Sequence, residues 1–442
     1  MLVAKTLGFG GNMKRILHIF IIIVFFVLIL TGCNWFKTED PNKSINDLDI
    51  SEYFRFNTKR TVTTTINGTD TTDFQIYLEY DGDLDSKVDT TLLDKLFLST
   101  QTDSIGYFEK ILSVPSYYNS VYLKYGNQIK ELELYKLDNE RGEIISSFNE
   151  KAIQNKNKCL HQCIYYPSKN NFGTILFEDR WPHKGDYDMN DLVVDYNMVE
   201  KYFFNPLFHV PGIGWFKPIY EIEANFRLRA SGAGYNISFA MQLPNLCYID
   251  GEVTTDLPEA ITIEEDNNTL IFIANLHEAM GAPDGEWVNT EETLPYYSVV
   301  EFNVTIPIQY VNGNDPAWDE WNGDRNNPIY LPPYNSFIYV NNNRYHEIHL
   351  ANYPPTDSMD TTLFGTASDA SIPSNGIYYR TINGLPWGVH VAQSCPYPIE
   401  RTEITEAYLH FAEWAESSGS VFQNWYKNLP GYRDNSNIYI LP

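Results

Sequence analysis

The sequence predicts a mainly β protein with two β-sandwich domains, an N-terminal one of immunoglobulin-like size and a larger one with one C-terminal α-helix. Three observations predict this class. Aromatic residues, which are enriched in strands, make up 15% of the 442 residues. Short segments alternate between apolar and polar residues and are separated by turn residues. Only residues 402–417 repeat apolar residues convincingly at helical spacing.

The strands divide the chain into two groups. The clearest alternation is Phe74-Gln75-Ile76-Tyr77-Leu78-Glu79-Tyr80. With further strands at 61–66, 111–114, 121–125 and 131–137, it predicts an N-terminal domain over 49–140. A polar segment, 141–170, is interpreted as a connector with a short helix at 149–154. Strands at 220–230, 235–243, 260–265, 269–274 and 298–307 predict a second β domain over 171–442.

The predicted C-terminal helix has clear end signals. Thr402 is a suitable N-cap, Glu403 and Glu406 fall in the first turn, and Ser418-Gly419 ends the segment. The apolar side chains of the segment form one stripe, which we expect to pack in the core: Ile404, Ala407, Tyr408, Phe411, Trp414 and Ala415.

The N-terminus indicates export and lipid attachment. Lys14-Arg15 precede an apolar run over 16–30, too short for a comfortable membrane span. The run ends in Leu30-Thr31-Gly32-Cys33, which resembles a bacterial lipobox. We therefore expect a signal peptide over 1–32, acylation of Cys33 and a polar tether over 33–48, with the acyl chains making the membrane a partner. The alternative is a plain N-terminal anchor helix.

The residues after Cys33 bear on the compartment. Asn34 is not the Asp associated with retention at the inner membrane, so an outer-membrane location is expected. The acidic segment Lys37-Thr38-Glu39-Asp40 resembles export signals of surface lipoproteins, which favours exposure at the cell surface, although any acidic linker has this composition. The net charge of −26 argues against nucleic acid as a partner, because phosphate binding requires a basic face.

The residues between 178 and 191 form the most informative stretch. Five carboxylates occur there, beside only Arg180 and Lys184 as cations, so a folded turn would place anions close together. Oxygen ligands without thiols select a hard cation, and Ca²⁺ accepts irregular loops more readily than Mg²⁺. We predict a structural calcium site with these ligands: Glu178, Asp179, Asp186, Asp188, Asn190 and Asp191. The alternative is a solvated acidic turn.

Local features support this prediction. Asp186, Asp188 and Asn190 alternate, so in extended backbone they would face one side. Gly185 permits a tight turn into the loop, and Leu192-Val193-Val194 predicts a buried strand that holds the loop rigid. Asp357, Asp360 and Asp369 are candidates to complete the site from elsewhere in the fold.

The whole stretch 177–196 carries a family resemblance. Its pattern, F-E-D-x-W-P-x-K-G-D-Y-D-x-N-D-L-V-V-D-Y, resembles the LruC-type, DUF4842-like domain of bacterial surface lipoproteins. The shorter D-x-D-x-N-D-L-V-V is similar to motifs in calcium-dependent bacterial adhesin modules. The resemblance implies an LruC-like calcium-binding β domain over 171–442 and a location on the cell surface; it implies less about activity.

Four cysteines remain after Cys33: Cys159, Cys163, Cys247 and Cys395. An exported chain can pair them in two disulfides, and a local Cys159–Cys163 bridge or free buried thiols are both favoured over a zinc site. His346 and His349 are also weak zinc evidence, because in a strand Glu347 and His349 share one side and His346 faces the other.

Two tryptophans mark a candidate ligand surface. Trp318 and Trp321 lie in a polar loop rich in Asn and Asp, where they can stack on sugar rings or pin the loop to the core. No nucleophile elbow or nucleotide fingerprint occurs. We therefore expect a non-catalytic binding or adhesion module for a glycan or a host or envelope protein. The alternatives are a secreted polysaccharide hydrolase and a structural component of a surface assembly.

Overall fold

The computed structural model describes residues 43–68, 71–80, 95–102, 106–126, 128–136, 141–147, 161–203, 209–210, 214–215, 219–245, 247–257, 261–264, 266, 268–310 and 328–442. Contacts divide the chain into two compact units, Met1–Lys43 and Ser44–Pro442, and the described strands and helices all lie in the second unit. Cys33, Cys159, Trp318, Trp321, the signal peptide, most of the tether and the helix predicted at 149–154 lie outside the described residues. Within the described residues no helix has the length and apolar character needed to cross a bilayer.

The described elements are mostly strands. In chain order they are β1 (Lys59–Asn67), β2 (Asp73–Tyr77), β3 (Leu96–Gln101), β4 (Tyr107–Pro115), β5 (Ser120–Tyr125), β6 (Gln128–Glu133), β7 (Tyr135–Lys136), β8 (Arg141–Ser147), β9 (His161–Tyr166), β10 (Gly173–Phe177), β11 (Leu192–Phe203), β12 (His209–Val210), β13 (Gly214–Trp215), β14 (Ile219–Ala230), β15 (Ile237–Gln242), β16 (Cys247–Ile249), β17 (Thr254–Thr255), β18 (Thr262–Ile263), β19 (Thr269–Ile273), β20 (Val300–Tyr310), β21 (Asn335–Val340), β22 (Glu347–His349), β23 (Gly388–Val391), β24 (Tyr397–Pro398) and β25 (Ile438–Tyr439).

The helices are short. The α-helices are α1 (Leu276–Met280), α2 (Ile404–Ala407) and α3 (Phe411–Glu416), and the 3-10 turns are Ile45–Asp47, Pro328–Tyr330, Thr361–Leu363, Pro373–Asn375 and Asn435–Asn437. The sequence did not predict α1, which is only one turn long and begins where the Asn275 side chain accepts a hydrogen bond from the Glu278 N–H.

One long sheet runs through the unit. Its main order is β16-β20-β14-β11-β9-β3-β2-β5-β6, with β10, β17 and β23 paired at its sides. A smaller sheet, β4-β1-β8-β7, packs on one part of it, where Phe74 and Phe108 meet at 5.0 Å. A second sheet, β18-β19-β15-β21-β22, packs on another part, where Phe226 and Phe239 meet at 5.3 Å. The predicted β-sandwich class is confirmed.

The predicted connector contains sheet strands. In residues 141–170, β8 pairs in parallel with β1, and β9 lies between β3 and β11. Strands from both predicted domains, 49–140 and 171–442, therefore share the long sheet. Pairing between strands that are distant in sequence cannot be recognised from composition. The polar composition of 141–170 therefore led to the incorrect interpretation of this segment as a connector without sheet strands. Separate folding of the two halves stays a prediction.

The C-terminal helix prediction was partly wrong. The apolar stripe is buried as expected, but the helix is broken between Ala407 and Phe411. Tyr408 is extended and bridges to Arg433, and the Leu409 N–H donates to the Tyr432 carbonyl at 2.9 Å. These tertiary bonds replace helical ones. The N-cap is Glu403 rather than Thr402, and its carboxylate accepts the Ile45 N–H at 2.9 Å.

The helices belong to a second core, which we call the C-terminal core. It joins the arm before β1, through residues such as Ile45, Leu48 and Phe56, to Phe411 and Trp414 of α3. Two residues of the acidic loop, Tyr187 and Met189, also lie in this core. The acidic loop is therefore enclosed by segments from both ends of the chain.

Cys247 and Cys395 are buried, free thiols, one of the two alternatives favoured from the sequence. Cys163 is half-buried in β9. Its predicted local bridge to Cys159 stays a prediction, because Cys159 lies outside the described residues.

Candidate metal centre

The acidic loop, residues 178–191, connects β10 to β11. These strands are antiparallel, with Phe177 opposite Leu192, so both ends of the loop are fixed by the sheet. The predicted strand after the loop is confirmed: Leu192, Val193 and Val194 are fully buried at the start of β11. The loop therefore projects from a rigid hairpin, as a preformed site requires.

Three of the six predicted ligands meet in this loop. One carboxylate oxygen from each of Glu178, Asp186 and Asp188 lies within 4.8 Å of the other two. Glu178 and Asp188 are 0% and 1% exposed, whereas Asp186 is exposed. Two unit charges about 4 Å apart repel by about 4 kcal/mol at an effective dielectric constant of about 20. Ionised together, these groups need a cation.

Backbone groups orient the two buried carboxylates. Glu178 Oε1 accepts the Met189 N–H at 2.8 Å, and Asp188 Oδ2 accepts the Arg401 N–H at 2.7 Å. Glu178 Oε2 is buried and has no hydrogen-bond partner among the described residues. A buried carboxylate oxygen without a partner is costly, so this atom is the strongest local indication of a missing ligand.

The position of the Glu178 carboxylate requires glycine at position 185. A Cβ built on Gly185 would lie 1.6 Å from Glu178 Oε2. The sequence suggested that Gly185 permits a tight turn, but the structure gives a different reason: the Glu178 side chain occupies the place that a larger residue would fill.

The loop backbone is not extended, contrary to the prediction. Tyr187 and Met189 have φ of 61° and 55°, a region that costs non-glycine residues about 1–3 kcal/mol each. Burial of both side chains in the C-terminal core offsets this cost. The polar residues of the loop still alternate with buried ones, because Tyr187 and Met189, which lie between the polar positions, pack in the C-terminal core.

The other predicted ligands have different contacts. Asp191 Oδ2 accepts the Asp179 N–H at 2.8 Å, and neither residue belongs to the three-carboxylate group. Asn190 Nδ2 donates to the Pro398 carbonyl at 3.2 Å. Its Oδ1 is buried without a partner among the described residues and lies against Gly232, where a Cβ would approach to 2.1 Å. It is a second buried oxygen available to a ligand.

The cations of the loop do not neutralise the group. Lys184 Nζ donates to Asn46 Oδ1 at 2.8 Å, in the arm before β1. Arg180 is exposed and forms no ion pair among the described residues. Within the described part of the chain, no lysine or arginine therefore compensates the negative charge of the cluster.

The electrostatic result is a set of raised pKa values. Burial, followed by repulsion from Asp188 and Asp186, raises the pKa of Glu178 well above its ordinary value. Burial, followed by repulsion from Asp186 and Glu400, likewise raises the pKa of Asp188 well above its ordinary value. Burial raises the pKa of Asp179 to about 6. Without a cation, the loop favours protons on its carboxyl groups.

Sequence reasoning missed the contribution of residues 400–401. Glu400 Oε2 accepts the Thr290 hydroxyl at 2.9 Å, and burial raises the pKa of Glu400 to about 7. Arg401 contributes its backbone N–H to Asp188, while its guanidinium lies 4.4 Å from the Trp287 ring centroid. Neither residue stands in a recognisable motif, and each is distant in sequence from the loop.

Asp357, Asp360 and Asp369, the candidates to complete the metal site, do not belong to the group of three carboxylates. Asp369 Oδ1 accepts the Trp181 indole N–H at 2.9 Å, and Asp360 caps a 3-10 turn. Asp357 lines a separate cavity. The zinc interpretation is also unsupported: His349 Nε2 bonds to Glu347 Oε2 at 2.7 Å, whereas His346 Nε2 bonds to the Trp181 carbonyl at 2.5 Å.

We expect Gly185→Ala to abolish calcium binding, because the added methyl group displaces the Glu178 carboxylate. Calorimetric titration with calcium chloride measures the loss. Gly234→Ala is the matched control, since a Cβ there meets nothing within 4 Å. Calcium binding by Gly185→Ala with unchanged affinity would contradict this geometry.

We expect the acidic loop to lose stabilising free energy as pH rises from 5 to 8 in the calcium-free protein. The raised folded-state pKa values, about 6 for Asp179 and about 7 for Glu400, mean that these carboxyl groups hold more protons in the folded state than in the unfolded chain. Their contribution is therefore greatest below the unfolded pKa values and is lost as pH passes through the folded ones. Burial lowers the pKa of His349 and of His390, which act in the opposite direction, so the measurement compares the unmodified protein with Glu400→Gln. The melting temperature of the unmodified protein in chelator, relative to that of the variant, should fall as pH rises, and saturating calcium should reduce the fall. A flat or rising difference in chelator would refute the interpretation.

Comparisons with known proteins agree with the fold. A crystal structure of a protein from Bacteroides ovatus, described as a putative lipoprotein, matches with a TM-score of 0.57 and 18% identity, over 84% of this chain and 100% of the other. That likeness shows a shared fold. No curated protein matches the sequence significantly. Residues 218–426 match the family described as "Domain of unknown function (DUF4842)". The predicted resemblance to the DUF4842 family is thus confirmed for residues 218–426, which follow the acidic loop in the sequence.

Proposed function

We propose that the protein is a calcium-stabilised, non-catalytic binding module, held on the outer membrane through acylated Cys33 and exposed at the cell surface. The observation that carries the proposal is the group formed by Glu178, Asp186 and Asp188, whose oxygens lie within 4.8 Å of one another while Glu178 Oε2 is buried without a partner among the described residues. Oxygen-only ligands suit Ca²⁺, and the irregular loop suits its flexible coordination.

The calcium role is structural. Glu178, Asp186 and Asp188 would hold the ion, and the ion would supply positive charge that keeps these carboxylates ionised. Asp188 is also bonded to the backbone of Arg401, three residues before α2. The loop therefore ties the β10–β11 hairpin to the C-terminal core, and binding that favours the folded state raises the free energy of unfolding.

The burial of the carboxylates supports a non-catalytic role. Glu178 and Asp188 are almost fully buried, so a polysaccharide chain cannot reach both as an acid–base pair. Lipid anchorage is supported by the sequence Leu30-Thr31-Gly32-Cys33 and by the description of the Bacteroides ovatus protein as a putative lipoprotein. Exposure at the cell surface is supported by the acidic segment Lys37-Thr38-Glu39-Asp40. The ligand class that we propose is a glycan or a host or envelope protein.

We expect calcium to raise the melting temperature of the purified protein and chelator to lower it. At about 100 times the dissociation constant, calcium raises the free energy of unfolding by about 2.7 kcal/mol. Glu178→Gln and Asp188→Asn should lose most of the calcium-dependent shift. Glu252→Gln, which neutralises an exposed acid away from the loop, should retain it. Equal melting temperatures of the unmodified protein in calcium and chelator would overturn the calcium proposal.

We expect Cys33→Ala to abolish lipid attachment and membrane anchorage. Metabolic labelling with a palmitate analogue, followed by fractionation, measures both effects in a Gram-negative host that processes lipoproteins. Cys247→Ala is the control, because that thiol is buried and free. Labelling of Cys33→Ala equal to that of the unmodified protein would contradict the assignment of the anchor.

A further inference from the structure

We propose that a second site, a cavity of about 290 Å³ at one end of the β18-β19-β15-β21-β22 sheet, binds a single neutral sugar unit of a glycan. It lies where Gln242 of β15 is opposite both Thr269 of β19 and Asn335 of β21. This inference rests on the binding role proposed above and names its ligand class. None of the calcium-loop residues lines the cavity.

The floor of the cavity is held rigid by a buried network. Asn335 is 2% exposed, and its Nδ2 donates to Gln242 Oε1 at 3.3 Å and to the Pro354 carbonyl at 2.9 Å. Its Oδ1 bonds to His349 Nδ1 at 2.7 Å, and His349 in turn bonds to Glu347. A polar floor fixed in this way is preorganised for hydrogen bonding to a ligand.

The rim offers hydrogen-bond donors. The amide oxygens of Gln242 and Asn245 accept bonds from Asn335 and Asn268, which fixes the two amide groups. Their NH₂ groups have no acceptor among the described residues, and both side chains line the cavity. Each can therefore donate to an oxygen of a ligand.

The rim also offers acceptors. The Asp357 carboxylate is exposed and has no bonding partner among the described residues. Both oxygens of Asp266 already accept hydrogen bonds: Oδ1 accepts the N–H groups of Asn268 and Thr269, both at 3.0 Å, and Oδ2 accepts the Thr269 hydroxyl at 2.7 Å. Oδ2 keeps a second lone pair for a ligand. Donors and acceptors thus stand side by side. Sugar hydroxyls, which donate and accept at once, match this arrangement.

Charge and shape narrow the ligand class. Among the described residues that line the cavity there is no Lys, Arg or His, and two are aspartates, which disfavour anionic ligands. The lining is mostly polar but includes Leu243, Ile329 and Pro355, whose aliphatic side chains can contact the C–H faces of a sugar ring. The volume is at the lower end of small-molecule pockets, about 300–1,000 Å³, which suits one ring rather than a chain. The described residues place no group of three metal-ligating side chains here.

Saturation-transfer NMR and titration with neutral sugars test the proposal. The panel contains glucose, galactose, mannose, N-acetylglucosamine and their common disaccharides, with the protein held in calcium. At least one sugar should bind, and Asp357→Ala and Gln242→Ala should each weaken it about tenfold. The matched controls, Glu252→Ala and Gln393→Ala, alter exposed side chains outside the cavity and should leave the dissociation constant unchanged.

Each outcome decides the proposal. Weakening in the two cavity variants with unchanged melting temperatures supports it. If Gln242→Ala lowers the melting temperature, Asp357→Ala decides alone, since the Asp357 side chain has no partner among the described residues to lose. Lack of binding by every sugar, equal binding by Asp357→Ala, or binding only of cationic peptides would overturn the sugar site. A calcium-dependent melt alongside any of these results would leave the calcium module standing, so the two failures are distinguishable.

Discussion

The repulsion among the buried carboxylates of the acidic loop is the constraint on which the rest of the account depends. Glu178 and Asp188 lie inside the protein, beside the exposed Asp186, and no lysine or arginine among the described residues pairs with them. Such a group is stable only when its charge is removed by protons or balanced by a cation. The raised pKa values describe the first solution, and calcium provides the second at neutral pH.

This local constraint is linked to the architecture by backbone contacts. The Ile404 N–H donates to the Tyr187 carbonyl at 2.8 Å, so the loop is bonded to the start of α2. Glu403 accepts the Ile45 N–H, and Lys184 donates to Asn46, so the loop and α2 both hold the arm before β1. That arm includes the last residues of the predicted tether, because Ile45 and Leu48 are buried in the C-terminal core. Ordering of the loop thus stabilises the part of the fold that is closest in sequence to the predicted lipid anchor.

Much of the site was predictable because its ligands lie close together in sequence. The acidic loop and the strand at Leu192 follow from composition and periodicity, and three of the six predicted ligands do meet. The positive φ of Tyr187 was not predictable, because it depends on burial against helices more than 200 residues later. The same limit applies to Glu400, to the helix break at Tyr408 and to the shared sheet, all of which depend on long-range pairing.

A crystal structure of the protein grown with calcium, recorded at a wavelength with measurable calcium anomalous scattering, tests the central claim most directly. The account predicts one anomalous peak among Glu178, Asp186 and Asp188, with oxygen ligands at about 2.3–2.6 Å. Carboxylates bonded only to water or to protons, with no peak between them at a calcium concentration in the millimolar range, would contradict it.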